Sequence, residues 1–190
     1  MQAPDLYRWA GITGLVVGVL NVIVEFLPAP IGAPLELLTN ILGLAVLTAL
    51  YLRQRSESGI LGWVGYVMQF FGMALVIGFL FSEAFVLSEL NNEQRAAALA
   101  GAAGVVTVIG LAFTTAGAIL FGISSLRAGV FHKWAALLLM LGFVIAPLGA
   151  ATSAIVKTVG ELILSAGLIG VSTTLLSPPG KKIEQQLSSK

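Results

Sequence analysis

KTVGELILSAGLIGVSTTLL, residues 157–176, decides the fold of this chain. As a helix it is about 30 Å long, the thickness of a bilayer's hydrocarbon core, and apart from Lys157 and Glu161 it carries no charge. A lysine and a glutamate four residues apart share one helix face and can pair with each other. Ionisable groups inside a membrane span mark a functional site by default, so the two residues are candidates from the outset.

The rest of the chain repeats the apolar character of this stretch. Apolar residues make up 57% of the 190 residues and charged residues 10%, and the mean hydropathy is +0.98. Soluble domains carry about 25% charged residues, so the chain belongs in a bilayer. Cysteine is absent, which excludes disulfides, thiolate metal sites and cysteine nucleophiles. No zincin, nucleophile-elbow, P-loop or dinucleotide-binding motif occurs, and no basic patch suits nucleic acid. Asp5 is the only aspartate, which argues against an intramembrane aspartyl dyad. The sequence assigns no catalytic residue, metal site or cofactor.

Six apolar spans emerge at 9–27, 35–52, 61–90, 96–126, 134–150 and 155–176. The first is read as retained rather than as a cleaved signal, because its apolar run is long and Pro28, Pro30 and Pro34 crowd its exit. Arg8, Arg53, Arg55, Arg127, Lys133, Lys181, Lys182 and Lys190 fall at the amino terminus, in alternate loops or in the tail. By the positive-inside rule these segments are cytoplasmic, and so are both termini. Trp9, Trp63 and Trp134 open the odd-numbered spans, where amphipathic rings sit at headgroup level. The expectation is an all-α polytopic membrane protein: a bundle of six transmembrane helices in three hairpins over 1–176, followed by a polar cytoplasmic tail at 177–190. Asn91 and Gln94 have the spacing of a capping box, which puts a turn near 90–92. A shift of 125 residues superposes Arg8-Trp9-Ala10 on Lys133-Trp134-Ala135 and Glu36-Leu37 on Glu161-Leu162, suggesting that the first and third hairpins are an internal repeat.

Small residues recur every four positions, notably Gly14 and Gly18; Gly110, Thr114, Ala118 and Gly122; and Ala166 and Gly170. Such rows let helix backbones approach closely, which in lipid replaces the hydrophobic force that drives association in water. They pack within the bundle or against other membrane subunits or further copies of the chain.

The exterior end is acidic, holding Glu25, Glu36, Glu83, Glu89, Glu93 and Glu161 against Arg95 and Lys157. Glu36, just past Pro34, reads as a carboxylate complementing a helix start. Glu89 and Glu93 read as solvated turn residues. Glu83, Lys157, Glu161 and Glu25, with Gln69 and Asn21 deeper in their spans, form the candidate polar site. Its simple reading is structural, with Lys157 paired to Glu161 and the amides bonded between helices. Its functional reading is an outward-facing vestibule for a cation or proton. His132 lies at the cytoplasmic surface beside Lys133 and Trp134, as a headgroup contact.

The run from Ser125 to Ala135, with LRAG at 126–129 and Lys-Trp-Ala opening the next span, resembles uncharacterised bacterial multi-pass inner-membrane proteins, and RWAGITG at 8–14 adds to the likeness. The resemblance implies a bacterial inner-membrane location. It carries no catalytic residues across. The abundance of packing rows beside the scarcity of chemistry favours a non-enzymatic accessory or structural subunit; the alternative is a small transporter or channel for a cation or proton using the acidic end.

Overall fold

The computed structural model describes residues 3–176, and the polar tail at 177–190 lies outside them. All regular structure among the described residues is helical: α1 (Ala3–Val24), α2 (Ala29–Phe85), α3 (Asn92–Ala100), α4 (Ala102–Ala128), α5 (Lys133–Thr152) and α6 (Ala154–Leu176), with a 3-10 turn at Leu87–Glu89. All but α3 are long and apolar enough to cross a membrane.

Helix α2 has 57 residues, about 85 Å if straight. It is not straight. The hydroxyls of Thr48 and Tyr66 share a hydrogen bond at 3.2 Å, although a sequence separation of 18 along a continuous helix would put them about 27 Å apart. The rings of Tyr51 and Tyr66 stack at 4.4 Å. The chain therefore turns back at Gly59, where φ is 58° and ψ −159°, a conformation essentially closed to residues with a side chain. The expected loop at 53–60 is thus mostly helix: Arg53, Gln54, Arg55 and Glu57 are good helix formers, and one glycine makes the turn.

Packing follows chain order and closes on itself: α1 packs on α2, α2 on α4, α4 on α5, α5 on α6, and α6 on α1. Direction can be read from the glycines that touch a neighbouring backbone. Along α5 and α6, Gly142 meets Leu164 and Gly149 meets Lys157, while Gly160 meets Ala146, so the partner's number falls as the glycine's rises and the helices are antiparallel. The second arm of α2 and α4 run the same way, with Gly65 on Phe121 and Gly72 on Thr114. A Cβ at Gly72 would lie 2.3 Å from the Thr114 amide nitrogen, so the close approach excludes any larger residue. Val17, Val46, Leu50, Phe121, Ala135 and Val171 fill the core these contacts enclose.

The small-residue rows are largely spent on these contacts. Gly14 and Gly18 face Ser172 and Ile169, Gly110 faces Leu75, Gly122 faces Met140 and Gly170 faces Trp134. Thr114 and Ala118 are buried, whereas Ala166 is exposed, and the close approach of α6 runs instead through Gly160 and Gly167.

Two further boundaries differ from the sequence reading, each for a local reason, while the expected cap at Asn91 is present. The fourth span divides at Gly101, whose extended backbone (φ −92°, ψ −153°) separates polar α3 from apolar α4. The capping box forms, with the Gln94 amide donating to the Asn91 side chain at 2.9 Å and the Asn91 amide donating to Gln94 Oε1 at 3.3 Å. Helix α2 starts at Ala29, well before the expected 35, because proline at the first positions of a helix forfeits no bond; Pro34 alone sits inside. Glu36 is therefore not in the first turn of its helix but two turns in.

Candidate functional site

The charged residues sort to two ends of the bundle. At one end Arg53 lies over the Tyr7 ring at 5.2 Å, Gly11 touches Leu176, and Ser124 Oγ donates to the Ser58 carbonyl at 3.3 Å. These contacts gather the start of α1, the turn at Gly59, the end of α4 and the end of α6, together with Arg8, Arg55 and Arg127. The other end is formed by the remaining helix termini and holds Glu25, Glu36, Glu83, Glu89, Glu93 and Glu161, while Asp5 and Glu57 lie at the basic end.

There the helices part around a cavity of about 380 Å³. All six contribute to it: Asn21 from α1, Glu36 and Glu83 from the two arms of α2, Arg95 from α3, Thr107 from α4, Pro147 from α5, and Lys157 and Glu161 from α6. Asn21, Glu83, Lys157 and Glu161 thus meet at one place although they are far apart in sequence. Glu161 lies two turns inside α6, since that helix begins at Ala154.

Within the cavity wall the charges pair across helices. Lys157 does not form its salt bridge with Glu161. Its Nζ donates to Glu25 Oε1 at 2.5 Å, and Thr158 Oγ1 donates to Glu25 Oε2 at 3.0 Å. Glu25 stands in the turn just past α1, and its side chain is only 8% exposed because α6 covers it. The interhelical partner wins over the local one: two bonds converge on Glu25, and the pair closes the contact between α1 and α6. Glu83 is bonded to Arg95, which ties the second arm of α2 to α3, while Glu83 Oε2 is buried without a partner.

With Lys157 and Arg95 so engaged, the carboxylates of Glu36 and Glu161 have no hydrogen-bond or ion-pair partner among the described residues. Only the backbone carbonyl of Glu36 is used, by Thr39 and Asn40 at 2.9 Å each. Asn21 likewise turns an uncommitted amide to the cavity.

Gln69 lies elsewhere. Two smaller spaces continue inward from the large cavity. One, of about 50 Å³, shares Asn21, Asn40, Met73 and Phe143 with it; the next, of about 10 Å³ or roughly one water, shares Leu50, Leu139 and Phe143 with the second and is lined by Gln69 and Ser125. Gln69 is buried where Gly117 presses on its backbone, and its Oε1 has no partner. Further toward the basic end, both polar side-chain atoms of Gln54 and the Ser58 hydroxyl are also buried and unpartnered. His132 is exposed ahead of α5, its ring stacked on Trp134 at 6.4 Å.

The sequence reading missed Arg95 and Asn40 as parts of the site. The signal for Arg95 was present: it is one of only two bases among the carboxylates of that end. Among the described residues no three His, Cys, Asp or Glu side chains group to hold a metal ion.

Fold and cavity define an all-helical protein whose membrane-length apolar helices surround a charged pocket at one end. No family model, curated protein or solved structure matches the chain.

Proposed function

We propose that this protein is a small membrane transporter or channel that takes a cation or proton into the cavity between Glu36 and Glu161. One observation carries the reading: side chains from all six helices converge on a single cavity, and two of its carboxylates lack a protein partner. Uncompensated carboxylates in a low-dielectric site are costly, and a bound cation or proton offsets that cost. Two smaller spaces that share lining residues with the cavity lie deeper in the bundle, the inner one bordered by Gln69.

In this reading the chain crosses a bacterial inner membrane six times in three hairpins, the two arms of α2 counting as separate crossings, with both termini cytoplasmic and the cavity facing outward. The gathering of Arg8, Arg53, Arg55 and Arg127 at the opposite end supports that orientation. A packing subunit remains the other reading, but the small-residue faces that favour it are met by the chain's own helices.

The test is flux. Purified protein reconstituted in liposomes is loaded with a pH-sensitive dye and challenged with proton and monovalent-cation gradients. Protein-dependent flux that drops in Glu161→Gln is expected. Flux indistinguishable from empty liposomes under every gradient, or unchanged by Glu161→Gln, refutes the proposal.

A further inference from the structure

We infer that the cavity takes an organic cation with an apolar body, its ammonium head between Glu36 and Glu161 and its hydrophobic remainder against the second arm of α2, α4 and α5. The inference rests on the cation-binding reading above and narrows it to a substrate class.

Charge sets the head group. Lys157 is neutralised by Glu25 and Arg95 by Glu83, so Glu36 and Glu161 leave the cavity with two formal negative charges unmatched. An anion is repelled there, and a neutral solute leaves both carboxylates uncompensated.

Volume sets the scale. About 380 Å³ falls in the range of sites that enclose whole small molecules, about 300 to 1,000 Å³. It would hold roughly a dozen waters at about 30 Å³ each. A dehydrated inorganic ion needs a tight cage of oxygens, and no such grouping of His, Cys, Asp or Glu occurs among the described residues.

The lining sets the body. The unpaired carboxylates come from the first arm of α2 and from α6, whereas the apolar lining comes mainly from other elements: Val76, Phe79 and Leu80 on the second arm, Leu111 on α4, and Phe143 and Pro147 on α5. The segregation by helix suits a ligand with a charged end and an apolar end, and the two phenyl rings add faces that attract a cation. Thr114 also borders the cavity, but its unpartnered hydroxyl is packed against Gly72 in the contact between α2 and α4.

The test uses the full chain in lipid nanodiscs, with tetraphenylphosphonium as the probe, tetraphenylborate as its anionic counterpart, and radiolabelled sodium and calcium as inorganic cations. Empty nanodiscs correct for partitioning into lipid. Saturable phosphonium binding is expected, with no saturable borate binding, and Glu36→Gln and Glu161→Gln should each weaken it by roughly tenfold or more. Saturable sodium or calcium binding that Glu161→Gln abolishes, without phosphonium binding, overturns the organic class and leaves the cation site standing. If neither kind of cation binds saturably, the organic-cation inference falls, and the proton gradients of the liposome flux assay decide the reading it rests on. Should a glutamine variant not elute as a single species, Phe79→Ala decides: the inference requires weaker phosphonium binding, and unchanged affinity overturns it.

Discussion

Replacing Lys157 with methionine keeps much of the side chain's length and removes its charge. In the native structure Glu25 accepts from Lys157 at 2.5 Å and from Thr158 at 3.0 Å, with its side chain 8% exposed. After Lys157→Met the carboxylate stays under α6 with one hydroxyl for a partner. Removing one member of a fully buried ion pair costs about 3–5 kcal/mol. Lys157 is 32% exposed, so the native bond is partly screened, and Thr158 remains; a loss of about 2 kcal/mol follows. Glu25→Gln acts differently. The amide keeps a bond to Thr158, and the freed ammonium still lines a cavity with Glu36 and Glu161, so the loss is about 1 kcal/mol or less. The double variant removes both charges and should be more stable than Lys157→Met alone, a coupling of about 1 kcal/mol or more. Reversible unfolding in detergent and dodecyl sulfate mixtures, followed by the fluorescence of Trp9, Trp63 and Trp134, measures all three. The reasoning is refuted if Glu25→Gln is the more damaging single change, or if the two losses add within about 0.5 kcal/mol.

The glycine contacts make a paired prediction. Gly72→Ala places a methyl 2.3 Å from the Thr114 nitrogen, and because backbone rather than a flexible side chain is in the way, α2 and α4 must separate, at a cost of about 1–3 kcal/mol in the same unfolding assay. Gly78→Ala, with nothing within 4 Å of its new methyl, should be neutral or stabilising. The proposed orientation is checked by labelling, which the absence of native cysteine makes clean. Asn92→Cys and Ser56→Cys are both on exposed positions, and an impermeant maleimide added to intact cells should modify the first and reach the second only after lysis; the reverse pattern inverts the topology.

The helices were legible because apolar runs of membrane length have few alternatives, and the polar cap at Asn91 is a local device read from two residues. The end of the loop before Gly59 was not legible, since RQRSES is polar enough for a loop and helical enough for a helix, and only the glycine's backbone decides. With three prolines at 28–34 the second span was expected to start at 35 rather than at Ala29, which made a cavity residue, Glu36, look like a helix-start carboxylate. The pairing of Lys157 failed for a different reason. Spacing reports neighbours on one helix, whereas Glu25 lies 132 residues away and meets Lys157 only because α1 packs on α6. Convergence of Asn21, Glu83 and Glu161 follows from helix order and depth, and no local pattern encodes it.

The suggested repeat acquires a physical content from the helix starts. Glu36 follows Ala29, the start of α2, by the same seven positions that separate Glu161 from Ala154, the start of α6, and the shift between the two starts is again 125 residues. Corresponding positions on two helices therefore deliver a carboxylate to one cavity at matching depth. The ion pair obeys no such correspondence. Under the same shift Lys157 falls on Gly32, and Glu25 falls on Ala150. The two carboxylates that stay free stand at corresponding positions under this shift, while the bridge that joins α1 to α6 falls outside it. If that bridge had served to neutralise the repeated carboxylates, Lys157 would be bonded to Glu161, one turn away on its own helix. Its commitment to Glu25 leaves the cavity with Glu36 and Glu161 unpaired, so the residues that hold α1 to α6 and those proposed to meet a cation are different residues in the same wall.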